Sequence, residues 1–544
     1  MMHPSLTSAP RGRTRRVSAT ARRFAVNALL LIAVNLFMRT VGVAFNVYLS
    51  RRAGGEVMGL YSLLFGAYGL ALTLACAGIN LGTTRMVADA MGEFCDPADG
   101  NPDRGKSPDA TSPACRHAIR AALRRCLAYS AICGICAGIL LFFGAPMIGK
   151  SWLGDERTVL SLRVLALTLP AVSLSSALGG YFTAVRRIGK NAAVGILGQF
   201  LRVGFCAYLL TLWLPDGVEM TCLALVLGGA LAEICGFLLN AAAFLYDRRR
   251  YLSKIRGENA CGSTECGTTR KLLGITVPVT LSASARSGLL TLQHALIPRG
   301  LKQSGESWER SLASYGVLHS VVLPVVLFPS AFINSYSGLL VPEVAESWAR
   351  GDRERVARLS YRIITPALVF SIGVAGIMTS FGQELGEVVC GSAEAGRYIR
   401  LLAPLVPIMY VDSSVDAFLK GMGEQVYSMN VNIIDALCSV ILVWLLLPRM
   451  GLAGYVIAIY ATETLNTTLS LCRMLRMSGM RVRLWRQVFA PLMAVIGATV
   501  LCRLMGSGLG AKITGLGSLI AWLSICTAFY LGILWAMTGS KIRK

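Results

Sequence analysis

The chain's 544 residues are 54% hydrophobic and only 15% charged, and their mean hydropathy is +0.58. Soluble domains carry much more charge, so the composition excludes an ordinary globular enzyme and points to an all-α polytopic membrane protein. The 53 basic residues outnumber 29 acidic ones, giving a net charge of +24, but they gather in the connections between apolar runs, where they set topology and do not imply nucleic acid.

The chain opens on a basic tail, residues 1–23, with Arg11, Arg13, Arg15, Arg16, Arg22 and Arg23 ahead of the first apolar run. That run, 24–50, exceeds the roughly 20 apolar residues needed to cross a bilayer and is read as an uncleaved span. Arg39 lies near its middle, where a charge costs roughly 2.5–3.5 kcal/mol and has to face protein or water. At about 100° per residue, Asn35, Arg39, Gly42 and Asn46 share one narrow face. The stripe is either a cavity wall offering positive charge to an anionic passenger, or an arginine tied to a neighbouring helix's carbonyls or carboxylate.

About fourteen apolar windows are predicted to span the membrane, the last two at 484–505 and 513–538. Basic residues collect on alternate connections, among them Arg116, Arg120, Arg124 and Arg125, then Arg248 to Arg250, then Arg473, Arg476, Arg481 and Arg483. Both termini are therefore expected in the cytoplasm. The external connections are short and leave no room for an extracytoplasmic catalytic domain. The 16 cysteines show no metal-ligand spacing, and the pairs Cys95/Cys115 and Cys261/Cys266 fall in loops assigned to the reducing side.

An internal repeat divides the chain. Arg163-V-L-A-L-T-L-Pro170 is matched by Arg400-L-L-A-P-L-V-Pro407, Arg39 and Arg51 by Arg286 and Arg299, and Met86 to Asp89 (M-V-A-D) by Glu343 to Glu346 (E-V-A-E). Each match joins span n to span n+6, as in parallel transporter repeats. The expected domains are the tail at 1–23, a six-helix lobe at 24–246, a cytoplasmic linker at 247–272, a second six-helix lobe at 273–475, and two additional helices within 476–544.

Arg286 shares a helical face with Ser282 and Gln293, and its equivalence to Arg39 suggests one central site. Arginine grips phosphate oxygens in pairs and stays charged, which suits a pyrophosphate. Arg85, ending the second span, is read as a further cavity cation or as snorkelling to lipid head groups. Arg202, in the fifth span, is read as a partner of Glu233. The intramembrane acids fall in the second half: Asp412, Asp416, Asp435 and Glu463. Asp416 with Lys420 reads as an ion pair at i, i+4. Asn432, Asp435, Thr462, Glu463 and Thr464 carry oxygen ligands of the kind a small cation takes, and with Asp412 and Asp416 they are the candidates for coupling to Na+ or H+. His294 is read as a packed, hydrogen-bonded histidine. The sequence has no P-loop or nucleophile constellation, and no metal site or other cofactor is expected.

In FMRTVGVAFNVYLSRRAGGEVMGLYSLLFGAYGLALTLACAGINLGTTRMVADA, an arginine in the first span is followed by an R-x-x-G-x-x-x-x-G-x-Y turn and a G-I … R-x-V-A ending. This stretch resembles the first two spans of the polysaccharide-transporter and stage V sporulation protein B-like branch of the multidrug/oligosaccharidyl-lipid/polysaccharide (MOP) exporter superfamily. The resemblance implies two pseudo-symmetric six-helix lobes in a V around a central cavity, with two C-terminal helices outside the repeat. It also implies alternating-access movement of a lipid-linked saccharide such as a peptidoglycan precursor. Arg39, Arg85 and Arg286 match cationic cavity positions of the similar lipid-linked peptidoglycan precursor flippases. Those relatives place a sodium site on spans seven, eleven and twelve, approximated here by Asn432, Asp435, Thr462 and Thr464. Gln293 or His294 stands where the seventh span usually has an acid.

The expected function is that of a flippase or exporter for a polyprenyl-pyrophosphate-linked oligosaccharide in the bacterial cytoplasmic membrane. A monomer is expected. Its expected partners are the lipid-linked sugar, membrane lipids and enzymes of cell-wall or spore-envelope synthesis. A cation-coupled multidrug exporter of the same fold is the rival reading, and a non-transporting scaffold in envelope or spore assembly is a second. A membrane glycosyl polymerase would need a large external loop that the sequence lacks.

Overall fold

The computed structural model describes residues 12–94, 113–185, 187–214, 217–248, 265–480, 482–508 and 515–539. The Asn35 side chain and those of the loop cysteines Cys95, Cys115, Cys261 and Cys266 lie outside the described residues.

Every regular element among the described residues is helical. Helix α1 (Gly12–Cys76) reaches back into the basic tail and is broken at Gly54, where φ is 84°, into two limbs. The first half continues with α2 (Ile79–Phe94), α3 (Pro113–Met147), α4 (Thr158–Ala184), α5 (Ile188–Trp213) and α6 (Val218–Asp247). The second half holds α7 (Glu265–Gln303), α8 (Trp308–Gly316), α9 (Leu323–Leu327), α10 (Ser330–Ala349), α11 (Arg353–Leu385), α12 (Ala393–Leu402), α13 (Val406–Gly421), α14 (Gln425–Met450) and α15 (Leu452–Ser478). Helices α16 (Ala490–Gly508) and α17 (Leu516–Gly539) complete the chain.

Eleven described helices are long and apolar enough to cross a membrane, with the two limbs of α1 and α2 counted in one run from Leu36 to Met91. Helices α7 and α15 fall short of that measure because they carry Arg286, Glu463 and their polar neighbours. Separating the limbs and adding these two helices is consistent with fourteen crossings.

The repeat is visible in the packing. Met86, Val87, Leu123 and Phe182, from α2, α3 and α4, form one compact core against Phe244 of α6. Val344, Leu359, Phe418 and Met474, from α10, α11, α13 and α15, form another from the equivalent spans of the second lobe. Val87 and Val344, the shared valines of M-V-A-D and E-V-A-E, are both 0% exposed. A third core joins α16 and α17 to α11, so these two helices sit on the flank of the second lobe.

The two lobes cross-brace each other at one end. Arg51, closing the first limb of α1, donates to the Val388 and Val389 carbonyls at 2.6 and 2.7 Å. Arg299, near the end of α7, donates to the Ser151 carbonyl. Both acceptors lie in π-helical turns that end a span, Ile148–Leu153 after α3 and Gly386–Cys390 after α11. Helix C-termini leave carbonyls unpaired and carry partial negative charge, so a guanidinium from the opposite lobe satisfies both needs. Each π-turn closes on a glycine in the left-handed region, Gly154 at φ 73° and Gly391 at φ 71°. The braces are therefore copies of one device, related by the repeat.

Between the braces the second limb of α1 lies directly on α8. A Cβ at Gly59 would overlap the Leu312 carbonyl, whereas a Cβ at Gly69 would meet nothing within 4 Å. Gly59→Ala is therefore expected to part the lobes and lower the melting temperature in detergent, while Gly69→Ala leaves it unchanged or slightly raised, as helix propensity dictates. A thermal melt of the two variants checks this.

An ion-pair chain runs beside the Arg299 brace. Arg157 bonds both oxygens of Asp155 and reaches Glu56 at 3.2 Å. Burial opposes ionisation of Asp155, but the Arg157 hydrogen bonds outweigh it and hold the carboxyl below the ordinary carboxylate range. A depressed folded-state value means that this link is fully formed above about pH 4 and is lost only as the pH falls below it. The melting temperatures of wild type and Asp155→Asn should therefore differ at pH 7 and converge in acid.

Candidate functional site

One cavity of about 690 Å³ opens between the lobes. Its walls come from the two limbs of α1, from α5, and from α7 through α9, with Arg39, Asn46, Gln199, Arg202, His294 and His319 among its polar lining. No carboxylate lines it among the described residues.

The backbone of the second lobe determines where Arg39 is held. Pro329 interrupts the helix between α9 and α10, and the Ala331 amide bonds the Phe328 carbonyl at 3.2 Å instead of that of Leu327. The freed Leu327 oxygen accepts from Arg39 Nη2 at 2.8 Å and from Ser330 Oγ at 2.7 Å. Arg39 thus lines the cavity and is tied to a carbonyl of the neighbouring helix, the second of the two readings of this span. Among the described residues its other guanidinium nitrogens make no hydrogen bond.

Arg202 supplies the second charge. Its guanidinium lies 5.6 Å from the Phe65 ring centroid and stands beside the Tyr61 hydroxyl, within the field of Glu233. The aromatic pair Tyr61 and Phe65, 4.5 Å apart, comes from the second limb of α1 and fixes the cation against the cavity wall.

Arg286 is not among the cavity's lining residues. It acts instead on a separate polar group, where its charge is felt by Asp412 on α13, Asp435 on α14 and Glu463 on α15. Around these, Asn466 Nδ2 donates to Asp412 Oδ2 at 3.3 Å, and Ser428 Oγ donates to Asp416 Oδ1 at 2.7 Å. Asp416 thus takes a serine hydroxyl, and no Asp416–Lys420 pair stands among the described ion pairs. Asn432 Nδ2 donates to the Ser428 carbonyl at 2.8 Å. Asp412 Oδ1, Asp435 Oδ1 and Asn466 Oδ1 are buried without a hydrogen-bond partner among the described residues. Among the described residues, no three His, Cys, Asp or Glu side chains are placed to hold a metal ion together.

The remaining sequence candidates divide between these places. Asn46 lines the cavity. Ser282 spends its hydroxyl on the Pro278 and Val279 carbonyls of its own helix. Gln293 is buried away from the cavity, Arg85 and Thr464 are exposed, and Thr462 bonds the Ile459 carbonyl. His294 lines the cavity and pairs with Tyr315. Gln199, Tyr61, Ser62 and His319 were not singled out by sequence; Gln199, three positions before Arg202 in an apolar span, was the available signal.

Comparison with known proteins fits this geometry. The family model described as polysaccharide biosynthesis protein matches residues 24–297, half of the chain, and the MatE model matches 308–445. The chain belongs to the polysaccharide biosynthesis protein family. The first model covers the first lobe and runs on into α7, the second lies within the second lobe, and the chain is a multi-pass membrane protein of this family. It is 24% identical over 525 residues to the stage V sporulation protein B of Bacillus subtilis (strain 168), covering 94% of this chain and 95% of that one. In fold it is similar to the lipid II flippase MurJ in an inward closed conformation, with 10% identity and a TM-score of 0.68 over 94% of this chain and 100% of that one. It is also similar to an inward-facing multidrug resistance MATE family transporter of the MOP superfamily, at 15% identity and a TM-score of 0.62, over 83% of this chain and 100% of that one.

Proposed function

We propose that this membrane protein is a transporter, a flippase for a polyprenyl-pyrophosphate-linked saccharide. The observation that carries the reading is the charge of the cavity: Arg39 and Arg202 on its walls, with no lining carboxylate among the described residues. Such a chamber attracts a pyrophosphate and repels the cationic drugs that an acidic, aromatic cavity would take. The similarity to the lipid II flippase and the sporulation protein supports a lipid-linked passenger. The acyl tail stays in the bilayer while the head group enters between the lobes.

By the positive-inside rule the Arg51/Arg299 end faces outward and both termini face the cytoplasm of a bacterial cell. Rocking of the lobes then requires the braces to open before the head group leaves. The group of Asp412, Asp435, Glu463 and Asn466 around Arg286, in which Asp412 Oδ1, Asp435 Oδ1 and Asn466 Oδ1 are buried without a partner among the described residues, is the candidate for coupling to Na+ or H+. Arg286→Ala is expected to alter the dependence of transport on the ion gradient while leaving head-group affinity intact.

Reconstitution tests the main reading. Vesicles containing the protein and an undecaprenyl-pyrophosphate-linked disaccharide should expose inner-leaflet head groups to an outside probe faster than protein-free vesicles. Equal rates would overturn it, and drug sensitivity of a deletion strain would then favour the multidrug reading.

A further inference from the structure

We propose that His294 and His319 form a neutral sugar-reading face of the cavity, their free ring nitrogens bonding hydroxyls of the saccharide whose pyrophosphate Arg39 and Arg202 hold. The inference rests on the flippase reading and adds the residues that choose the head group.

Both histidines line the cavity, on the wall formed by α7 and the π-turn Val317–Val322 after α8. Each has one nitrogen committed to a buried tyrosine. His294 Nδ1 pairs with Tyr315 Oη at 2.9 Å, and His319 Nε2 pairs with Tyr455 Oη at 2.8 Å. Tyr315 and Tyr455 are 1% and 2% exposed, so these hydroxyls cannot turn to solvent and they fix both ring planes. Gly66 of the other lobe packs flush on the His294 ring: a Cβ there would stand 3.2 Å from it. The second nitrogens, His294 Nε2 and His319 Nδ1, have no hydrogen-bond partner among the described residues.

The pair is arranged to stay uncharged. The two rings are 5.0 Å apart. Two imidazolium ions at that spacing, in a chamber that already holds Arg39 and Arg202, would repel each other and both arginines. No carboxylate lines the cavity beside these rings among the described residues; the acids on the elements packed behind them act elsewhere, Glu394 of α12 bonding Ser314 and Glu463 of α15 acting on Tyr455. A neutral imidazole with one nitrogen tied offers the other as a single donor or acceptor. A sugar hydroxyl both donates and accepts, so it can match either form. Ser62 and Ser320, the serines that line the cavity, are bonded to each other, so on the wall of α7 and the π-turn the imidazoles are the open partners. A site built to bond a hydroxyl rejects a ligand that lacks it, because its own polar groups are then left unpaired.

The test compares two probes on the full-length protein in nanodiscs: undecaprenyl pyrophosphate, and the same lipid carrying an N-acetylglucosamine disaccharide. Wild type should bind the disaccharide lipid more tightly. His294→Phe and His319→Phe keep the aromatic bulk. Each should weaken binding of the disaccharide lipid about 5-fold, the worth of one neutral hydrogen bond, and leave undecaprenyl pyrophosphate unchanged. His319→Gln, which retains a polar end, should recover part of the loss. Equal weakening of both probes would assign the histidines to structure and overturn the proposal, as would no change for either probe. Equal affinity of wild type for the two lipids would overturn the sugar-reading face but leave the anion site standing. Failure of wild type to bind either would overturn the flippase reading itself.

Discussion

Arg202→Ala is expected to abolish head-group transfer as fully as Arg39→Ala, with a fall on the order of 100-fold in apparent affinity for the lipid pyrophosphate. Two charge-assisted hydrogen bonds from one guanidinium contribute about 3 kcal/mol, which corresponds to that factor. Arg202→Lys should recover little, because a point charge cannot reproduce the planar fork held between Tyr61 and Phe65. Arg286→Ala, by contrast, should leave this affinity unchanged, since Arg286 sits among carboxylates and outside the cavity. Titration of nanodisc-embedded variants with undecaprenyl pyrophosphate reads all four values. Retained affinity in Arg202→Ala would remove that residue from the site.

The second large effect concerns the braced end. Arg51→Ala combined with Arg299→Ala removes the cross-lobe guanidinium bonds to the Val388, Val389 and Ser151 carbonyls of the π-turns while leaving the cavity intact. Each guanidinium–carbonyl link contributes about 1.5–3 kcal/mol, so the double variant should move the balance between closed and open forms of this end by on the order of 100-fold or more. Spin labels placed on either side of the braces should report a longer distance in the double variant. Because the two braces are copies related by the repeat, the single variants should give similar, smaller shifts. An unchanged distance distribution would show that the Gly59–Leu312 packing alone holds the end closed.

The architecture was legible because it repeats. Val87 and Val344 anchor equivalent cores, and Arg51 and Arg299 stand at equivalent helix ends, so the short matches between halves reported real three-dimensional equivalence. The site was legible only in part. Periodicity gives the face of a helix on which Arg286 lies, but not the rotation of that helix against its neighbours. Asp412, Asp435 and Glu463, more than a hundred residues away in sequence, supply the charges it meets. Two guanidiniums do share a cavity, but they are Arg39 and Arg202, both from the first lobe. Arg202 was hidden for a related reason: Tyr61 and Phe65, which hold it at the wall, belong to another span. Ser282 shows the remaining blind spot, since a hydroxyl on the right face of a helix can be consumed by that helix's own carbonyls.

The most direct measurement is transfer, in one vesicle preparation, of two lipids that differ only at the linkage: an undecaprenyl-pyrophosphate-linked disaccharide and an analogue with an uncharged linker. A chamber that works through Arg39 and Arg202 should move the first and not the second, and the Arg39→Ala/Arg202→Ala protein should move neither. Equal transfer of both lipids, or undiminished transfer by the double variant, would contradict the account.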